Sequence, residues 1–166
     1  IFQKTAAKKA FIGDVTTSNW LLNIRGNDLP HTPVLFNYTF LNSNGTLDVF
    51  THLTQVSLEI RTSLKDHVLF HDWKEFEAYI ESSESLYLPI EHTPYALLQV
   101  RHKKKIFPDL GNDFYSLQKS QKNPVEAQGI QECHLLDGLA VTKFLYQLTR
   151  PEVCSSLTER SAADLL

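Results

Sequence analysis

The chain has 166 residues, 42% of them hydrophobic, with ten Phe, six Tyr and two Trp, which suits one well-filled domain plus an appendage. A formal net charge of −3 provides no basic field, so nucleic acid is excluded as the default partner. Two cysteines, Cys133 and Cys154, are too few for a disulfide framework, and neither a signal-peptide pattern nor an apolar run of about 18 residues is present, so a cytoplasmic protein that does not enter a membrane is expected.

In chain order, Ala10-Phe11-Ile12 is a short apolar run ending at Gly13. Thr16, Thr17 and Ser18 then offer caps for a brief helix through Trp20-Leu21-Leu22. The loop Arg25-Gly26-Asn27-Asp28-Leu29-Pro30-His31 is the most function-like segment, because it gathers a fixed cation, a carboxylate, an imidazole and a flexible Gly after a helix. The bland reading of the same loop is an Arg25–Asp28 ion pair that ties the turn.

Val34 to Leu41 and Thr46 to Phe50 read as strands flanking Asn42-Ser43-Asn44-Gly45, where Asn-Gly supplies the positive φ values of a tight hairpin. The spacing of Val56, Ile60 and Leu64 predicts a helix over 55–64, followed by a buried strand at His67-Val68-Leu69-Phe70. Asp72 caps a helix carrying Trp73, Phe76, Tyr79 and Ile80. Leu86-Tyr87-Leu88 is a further strand, and Thr93 as cap with Pro94 at the first position opens a helix through Val100. An edge strand is expected near Lys105 to Phe107. These alternating elements predict an α/β fold, a mixed sheet flanked by helices, with a helical segment at the C-terminal end.

The domain boundary falls in the polar stretch from Asp109 to Gln121, giving an α/β domain over 5–112, a linker over 113–122 and a helical segment over 123–166. Asn123, Pro124 and Glu126 form a capping box with Pro at the first position, so the start of the next helix is strongly specified. That helix, 124–148, presents Ile130, Cys133, Leu136, Ala140, Val141, Phe144, Leu145 and Leu148 on a broad apolar face. Self-association through it is expected, with folding back over the chain's own α/β domain as the alternative. Ser161 and Asp164 form a cap-like pair close to Leu166, and the chain opens on Ile1, so a fragment of a longer protein is expected.

Two word-like segments carry a family resemblance. Lys122-Asn123-Pro124-Val125-Glu126 with Gly129-Ile130 and His134-Leu135-Leu136-Asp137-Gly138-Leu139-Ala140-Val141-Thr142-Lys143-Phe144-Leu145 is similar to the opening helix of the catalytic domain in X-prolyl aminopeptidases (aminopeptidase P) of the creatinase/prolidase family. Trp20-Leu21-Leu22-Asn23-Ile24-Arg25-Gly26-Asn27-Asp28, Pro30, Pro33-Val34 and Phe36-Asn37-Tyr38 resembles the middle-domain signature of the three-domain branch. The resemblance spans Ala10 to Leu166. It implies a creatinase-type domain followed by the first helices of a truncated pita-bread catalytic domain.

It also implies that the parent protein is a hydrolase, a metallopeptidase that removes N-terminal residues preceding proline from peptides. Two divalent ions, manganese by family habit, would be held by two Asp, one His and two Glu that lie beyond this sequence, so no catalytic residue, metal ligand or cofactor is assigned here. The resemblance places the loop bearing Arg25, Asp28 and His31 toward the substrate cleft, making these three the candidate cleft residues. The alternative is a binding module from a family member that has lost its metal ligands.

Other constellations are weaker. His67 and His71 lie four apart on a strand, too far to chelate one ion without a third partner. His134 and Asp137 read as half-buried helix residues hydrogen-bonded to neighbours. The run Arg101-His102-Lys103-Lys104-Lys105 reads as a solvated helix end, with a nucleic-acid contact as the lesser option.

Overall fold

The computed structural model describes residues 2–103 and 109–166, which fall into two compact units, one ending at Ser120 and the other running from Gln121 to Leu166. The first unit is built on β1 (Lys9–Ile12), a strand buried through Ala10, Phe11 and Ile12. Asp14 then starts α1 (Val15–Leu22): its carboxylate accepts from the N–H groups of Thr16 and Thr17 and from both their hydroxyls. The cap is therefore Asp14 rather than Thr16 to Ser18, because an ionised acceptor satisfies the free amides better than a hydroxyl does. Asn23 ends the helix in the left-handed region at φ 52°.

β2 (Tyr38–Asn42) and β3 (Leu47–Thr51) form the expected antiparallel hairpin. Its turn differs from the Asn-Gly pattern, since Gly45 alone has positive φ, and its N–H donates to the Asn42 carbonyl at 2.9 Å. The resulting loop is longer than a two-residue turn, and the Asn44 side chain accepts from the Thr46 N–H at 3.0 Å to hold it.

The helix expected over 55–64 is split. A single 3-10 turn covers Leu53–Gln55, Val56 is extended, and Ser57 restarts the chain as α2 (Leu58–Leu64) by accepting from the Ile60 N–H. β4 (Val68–Asp72) runs parallel to β3 on the sheet edge, with only Val68 buried and Leu69 57% exposed, so it is an edge strand rather than a buried one. Asp72 caps the next turn with Glu75 as its capping-box partner, and α3 (Phe76–Ser82) follows.

β5 (Leu86–Pro89) is fully buried and pairs parallel to β1. α4 (Tyr95–Lys103) begins just after Pro94, with the Thr93 hydroxyl donating to the Pro89 carbonyl at 2.6 Å. The strand expected at 105–107, together with Lys104 and Lys105 of the basic run, lies outside the described residues. The edge strand described here is β6 (Asp109–Gly111), parallel to β5, and α5 (Ser116–Ser120) occupies part of the stretch read as linker.

The sheet order is β4-β3-β2-β1-β5-β6. On one face Phe11, Phe40, Phe50, Leu86 and Leu88 meet Ile80 of α3 and Leu97 of α4. On the other, Leu47, Val49 and Val68 meet Leu22 of α1, with Leu64 of α2 packed alongside. Burial of these side chains, each worth about 1.5–3 kcal/mol, is what selects a sheet with helices on both faces.

The second unit is helical. Asn123 caps α6 (Pro124–Leu148), accepting from the Glu126 N–H at 2.9 Å while the Glu126 carboxylate accepts from the Asn123 N–H at 2.9 Å. α7 (Pro151–Cys154) and α8 (Glu159–Leu165) follow. The cap of α8 is Thr158, with Ser161 as its partner, in place of the Ser161–Asp164 pair read from sequence. No residue of α6 is buried. His134 and Asp137 are exposed, not half-buried.

Lys119 of α5 reaches Asp14 at 3.5 Å and so ties α5 to the start of α1. Burial alone would raise the Asp14 pKa, but hydrogen bonds from Thr17 and Thr16 and the Lys119 ammonium outweigh it and hold the group at about 2. An unfolded Asp titrates near pH 3.9, so this contribution is present above that value and is lost as pH falls through about 2. Asp14→Asn is expected to cost about 1 kcal/mol at pH 7, after allowance for solvent screening, and to flatten the loss of stability on the acid side. Urea unfolding across an acid pH series measures both.

Candidate functional site

The segment after α1 is held by side chains that act as backbone partners. Asn19 is buried; its Oδ1 accepts from the Leu35 N–H at 2.9 Å, while its Nδ2 donates to the carbonyls of Leu35 at 2.9 Å and Val15 at 2.8 Å. Asn37 donates to the same Leu35 carbonyl at 2.9 Å, and Thr51 of β3 donates to the Phe36 carbonyl at 2.7 Å. The strand-like segment 34–36 is thereby fixed without joining the sheet.

The candidate loop lies on that segment. The Asp28 N–H donates to the Val34 carbonyl at 3.1 Å, its Oδ2 accepts from the Phe36 N–H at 2.6 Å, and its Oδ1 accepts from Gln55 at 3.1 Å. Gly26 is required by close approach: a Cβ there would stand 2.7 Å from both the Leu35 nitrogen and the Val34 oxygen, which are backbone atoms unable to swing away.

Arg25 and Asp28 do not form the ion pair that would make the loop a simple tie. Both Asp28 oxygens are engaged elsewhere, and the Arg25 Nη1 donates to the Ile24 carbonyl at 2.8 Å. Among the described residues no carboxylate pairs with Arg25. His31 sits at the tip of the turn bridged by Leu29 and Thr32, in the left-handed region at φ 60°. It lines neither of the depressions that Arg25 borders, so the structure groups Arg25 with Asp28 and leaves His31 apart.

One depression, of about 350 Å³, brings Arg25, Asn27, Asp28 and Gln55 around buried Leu35 and Val56. The other, of about 200 Å³, lies on the far side of Arg25 against Trp20, Pro33 and Val34. A depression that is apolar beneath and polar at the rim can hold and orient a small ligand. Neither contains a nucleophile paired with a base.

A second polar constellation was not legible in the sequence. Asp48 of β3 is buried and accepts from the Tyr79 hydroxyl at 2.6 Å and the Asn42 amide at 2.7 Å, and its other oxygen meets His71 Nε2 at 2.8 Å. Lys9 donates to the Tyr79 hydroxyl at 2.7 Å, and His71 stacks on Phe50 with centroids 4.7 Å apart. Burial pushes the Tyr79 phenol far up, and the Asp48 carboxylate that it hydrogen-bonds adds to this. Burial raises the Asp48 pKa, yet the hydrogen bonds from Tyr79, Asn42 and His71, with Lys9 nearby, bring it below the usual carboxylate range. The network ties β3 and β4 to α3. Its one sequence signal was Asp48 at a strand position two before Phe50, an inward register for a charge.

Among the described residues no group of three or more His, Cys, Asp or Glu is arranged to hold a metal ion. His71 is engaged with Asp48, and His67 contributes its backbone to the sheet edge. The donors here do not fit a dinuclear centre.

Residues 1–126 match the Creatinase/Prolidase N-terminal domain. The chain is 32% identical over 178 residues to a probable Xaa-Pro aminopeptidase P of Talaromyces stipitatus, covering 98% of this chain and 27% of that protein. It is 25% identical over 157 residues to Xaa-Pro aminopeptidase 2 of Mus musculus, covering 89% of this chain and 23% of that one. Among solved structures it resembles an X-prolyl aminopeptidase from Caenorhabditis elegans, described as a cytosolic enzyme with a di-nuclear active site. That likeness has a TM-score of 0.78 at 25% identity and covers 99% of this chain and 28% of the other. The chain thus spans about a quarter of the length of the relatives it matches.

The integrity of the loop rests on Asn19. Asn19→Ala would leave the Leu35 N–H without its acceptor, while the carbonyl keeps Asn37, at a cost of about 1–3 kcal/mol. Native-state hydrogen exchange should show the Leu35 amide losing protection while the β1 amides keep theirs. Unchanged Leu35 protection would mean that segment 34–36 is held by other contacts.

Proposed function

Because the chain belongs to the creatinase/prolidase N-terminal domain family, we propose that it is the non-catalytic portion of a metal-dependent X-Pro aminopeptidase. It shapes the substrate cleft and the subunit contacts of an enzyme that removes N-terminal residues preceding proline. The observation that carries this reading is the likeness of nearly the whole chain to the Caenorhabditis elegans enzyme, together with the aminopeptidase relatives. The two metal ions of the complete enzyme, manganese in this reading, are held by residues other than those described. What this chain supplies is position: a rigid α/β unit that presents Arg25 and the Asp28 loop to the peptide. The domain over 5–112 is the creatinase-type module, and 123–166 is the opening of the catalytic domain.

A cytoplasmic location is in keeping with the cytosolic description of the Caenorhabditis elegans enzyme, and no described helix is long and apolar enough to cross a membrane.

In the complete enzyme, Arg25→Ala should lower kcat/KM for X-Pro peptides about tenfold with the melting temperature nearly unchanged, since among the described residues Arg25 bonds to its own neighbour's carbonyl alone. Asp28→Ala should lower both, because the Phe36 N–H and Gln55 lose their acceptor at a cost of about 1–2 kcal/mol. Wild-type kcat/KM in Arg25→Ala would remove this loop from the cleft.

Subunit contact is assigned to α6, whose Val125, Leu135, Leu136 and Leu139 are exposed. Another copy of the protein is the cover proposed for this apolar surface, with the rest of the catalytic domain that 123–166 opens as the competing one. Sedimentation velocity should show concentration-dependent association that Leu135→Glu with Leu139→Glu abolishes; a strict monomer at high concentration contradicts the assignment.

A further inference from the structure

The depression between Trp20 and Pro33 has a chemistry distinct from that of its larger neighbour. It is a shallow cup of about 200 Å³, close to the size of a single amino-acid residue, with Trp20, Pro33 and Val34 supplying apolar surface and Asn19 and Thr16 supplying polar atoms. Asn19 is saturated: its oxygen accepts from Leu35 and its amide protons go to Val15 and Leu35. The Thr16 hydroxyl is engaged with Asp14 and Lys119.

Two polar groups remain. The Arg25 guanidinium keeps donors beyond the one bound to the Ile24 carbonyl, and the Thr32 hydroxyl has no hydrogen-bond partner among the described residues. The Arg25 guanidinium can only donate, no carboxylate among the described residues pairs with it, and the carboxylate three residues away is held by Phe36 and Gln55. A cup whose unsatisfied groups are a guanidinium and a hydroxyl, beside an aromatic ring and a proline, fits an anionic head on an apolar body. Its geometry is preorganised, because Gly26, Asn19 and Asp28 fix the loop against segment 34–36.

We propose that Arg25 and Thr32 form a subsite for the C-terminal carboxylate of a short peptide, with the last side chain lying against Trp20 and Pro33. This rests on the aminopeptidase reading for the identity of the peptide, and it assigns that substrate a second anchor remote from its N-terminal end. Arg–carboxylate pairing supplies both the attraction and the planarity that selects a carboxylate over an amide.

The two tryptophans provide the readout. Trp20 borders the cup, whereas Trp73 packs against Tyr38 and Phe76 in the aromatic core and serves as the internal control. The full chain, labelled with ¹⁵N, is titrated with a short proline-second peptide bearing a free C-terminus, with the same peptide amidated at that end, with the amidated peptide carrying a terminal Glu, and with inorganic phosphate. The free acid should shift the Trp20 indole resonance and leave Trp73 in place, and the amide should bind about tenfold more weakly. Arg25→Gln should erase the difference between acid and amide, and Thr32→Val should reduce it in a protein with unchanged Trp73 signals.

Equal binding of acid and amide, no Trp20 shift, or discrimination that survives Arg25→Gln overturns the proposal. So does phosphate binding as tightly as the peptide, which marks a general anion site, or recovery of full affinity by the terminal Glu side chain, which marks a side-chain carboxylate site. Acid–amide discrimination in this chain, with unaltered kcat/KM for Arg25→Gln in the complete enzyme, leaves a carboxylate subsite here but overturns its role as an anchor for the enzyme's substrate, and with it the placing of this loop at the cleft.

Discussion

The buried amide of Asn19 does for Leu35 what a neighbouring strand would do, accepting from its N–H and donating to its carbonyl at 2.9 Å each. Everything between α1 and β2 follows from that pair of bonds. Without it the segment 34–36 has no ladder to join, Gly26 has no surface to rest against, and the Asp28 carboxylate has no Phe36 amide to receive. A loop that would otherwise sample many conformations is reduced to one, and the ordering cost is met by hydrogen bonds inside a site where an unmade bond would be expensive. The Arg25 guanidinium is left to solvent on a scaffold that does not move with it.

The sheet divides the first unit's work. Its Phe-rich face is closed by α3 and α4, with a buried carboxylate at one margin whose three hydrogen bonds reach β2, β4 and α3. The opposite face carries α1 and α2 and leads directly into the candidate loop. Polar fastening on one side and apolar packing on both brace the scaffold, while the candidate loop occupies a connection at its surface.

Elements with a strong local signal were legible in the sequence. The capping box at Asn123 and Glu126 and the one at Asp72 and Glu75 specify their helix starts through short-range hydrogen bonds, which sequence spacing encodes. The hairpin was legible for the same reason, although its loop proved longer, because only Gly45 takes the left-handed conformation. Where competition between nearby groups decides, spacing was not enough: Asp14 displaced three hydroxyl residues as cap, and Ser57 broke a helix that Val56, Ile60 and Leu64 outlined. The Asp48 network was invisible because its members come from five separate elements, and no linear pattern joins Lys9, Asn42, Asp48, His71 and Tyr79. In the candidate loop, residue types pointed to Arg25, Asp28 and His31 together, but only the tertiary hydrogen bonds tell that Asp28 serves the backbone, Arg25 faces the depressions and His31 stands apart at a turn.

β1 lies in the interior of the sheet, with β2 on one side and β5 on the other, and its partners Asn42 and Leu86 come from very different distances along the chain. The hairpin of β2 and β3 can form from neighbouring residues, but the sheet cannot close around β1 until Leu86 to Pro89 has been synthesised and brought back alongside it. Emerging from the ribosome, β1 therefore waits for one of the last strands of its unit. During that interval Phe11 and Ile12 have one side uncovered, a stage at which slow, non-local closure invites capture by a chaperone or by another nascent chain.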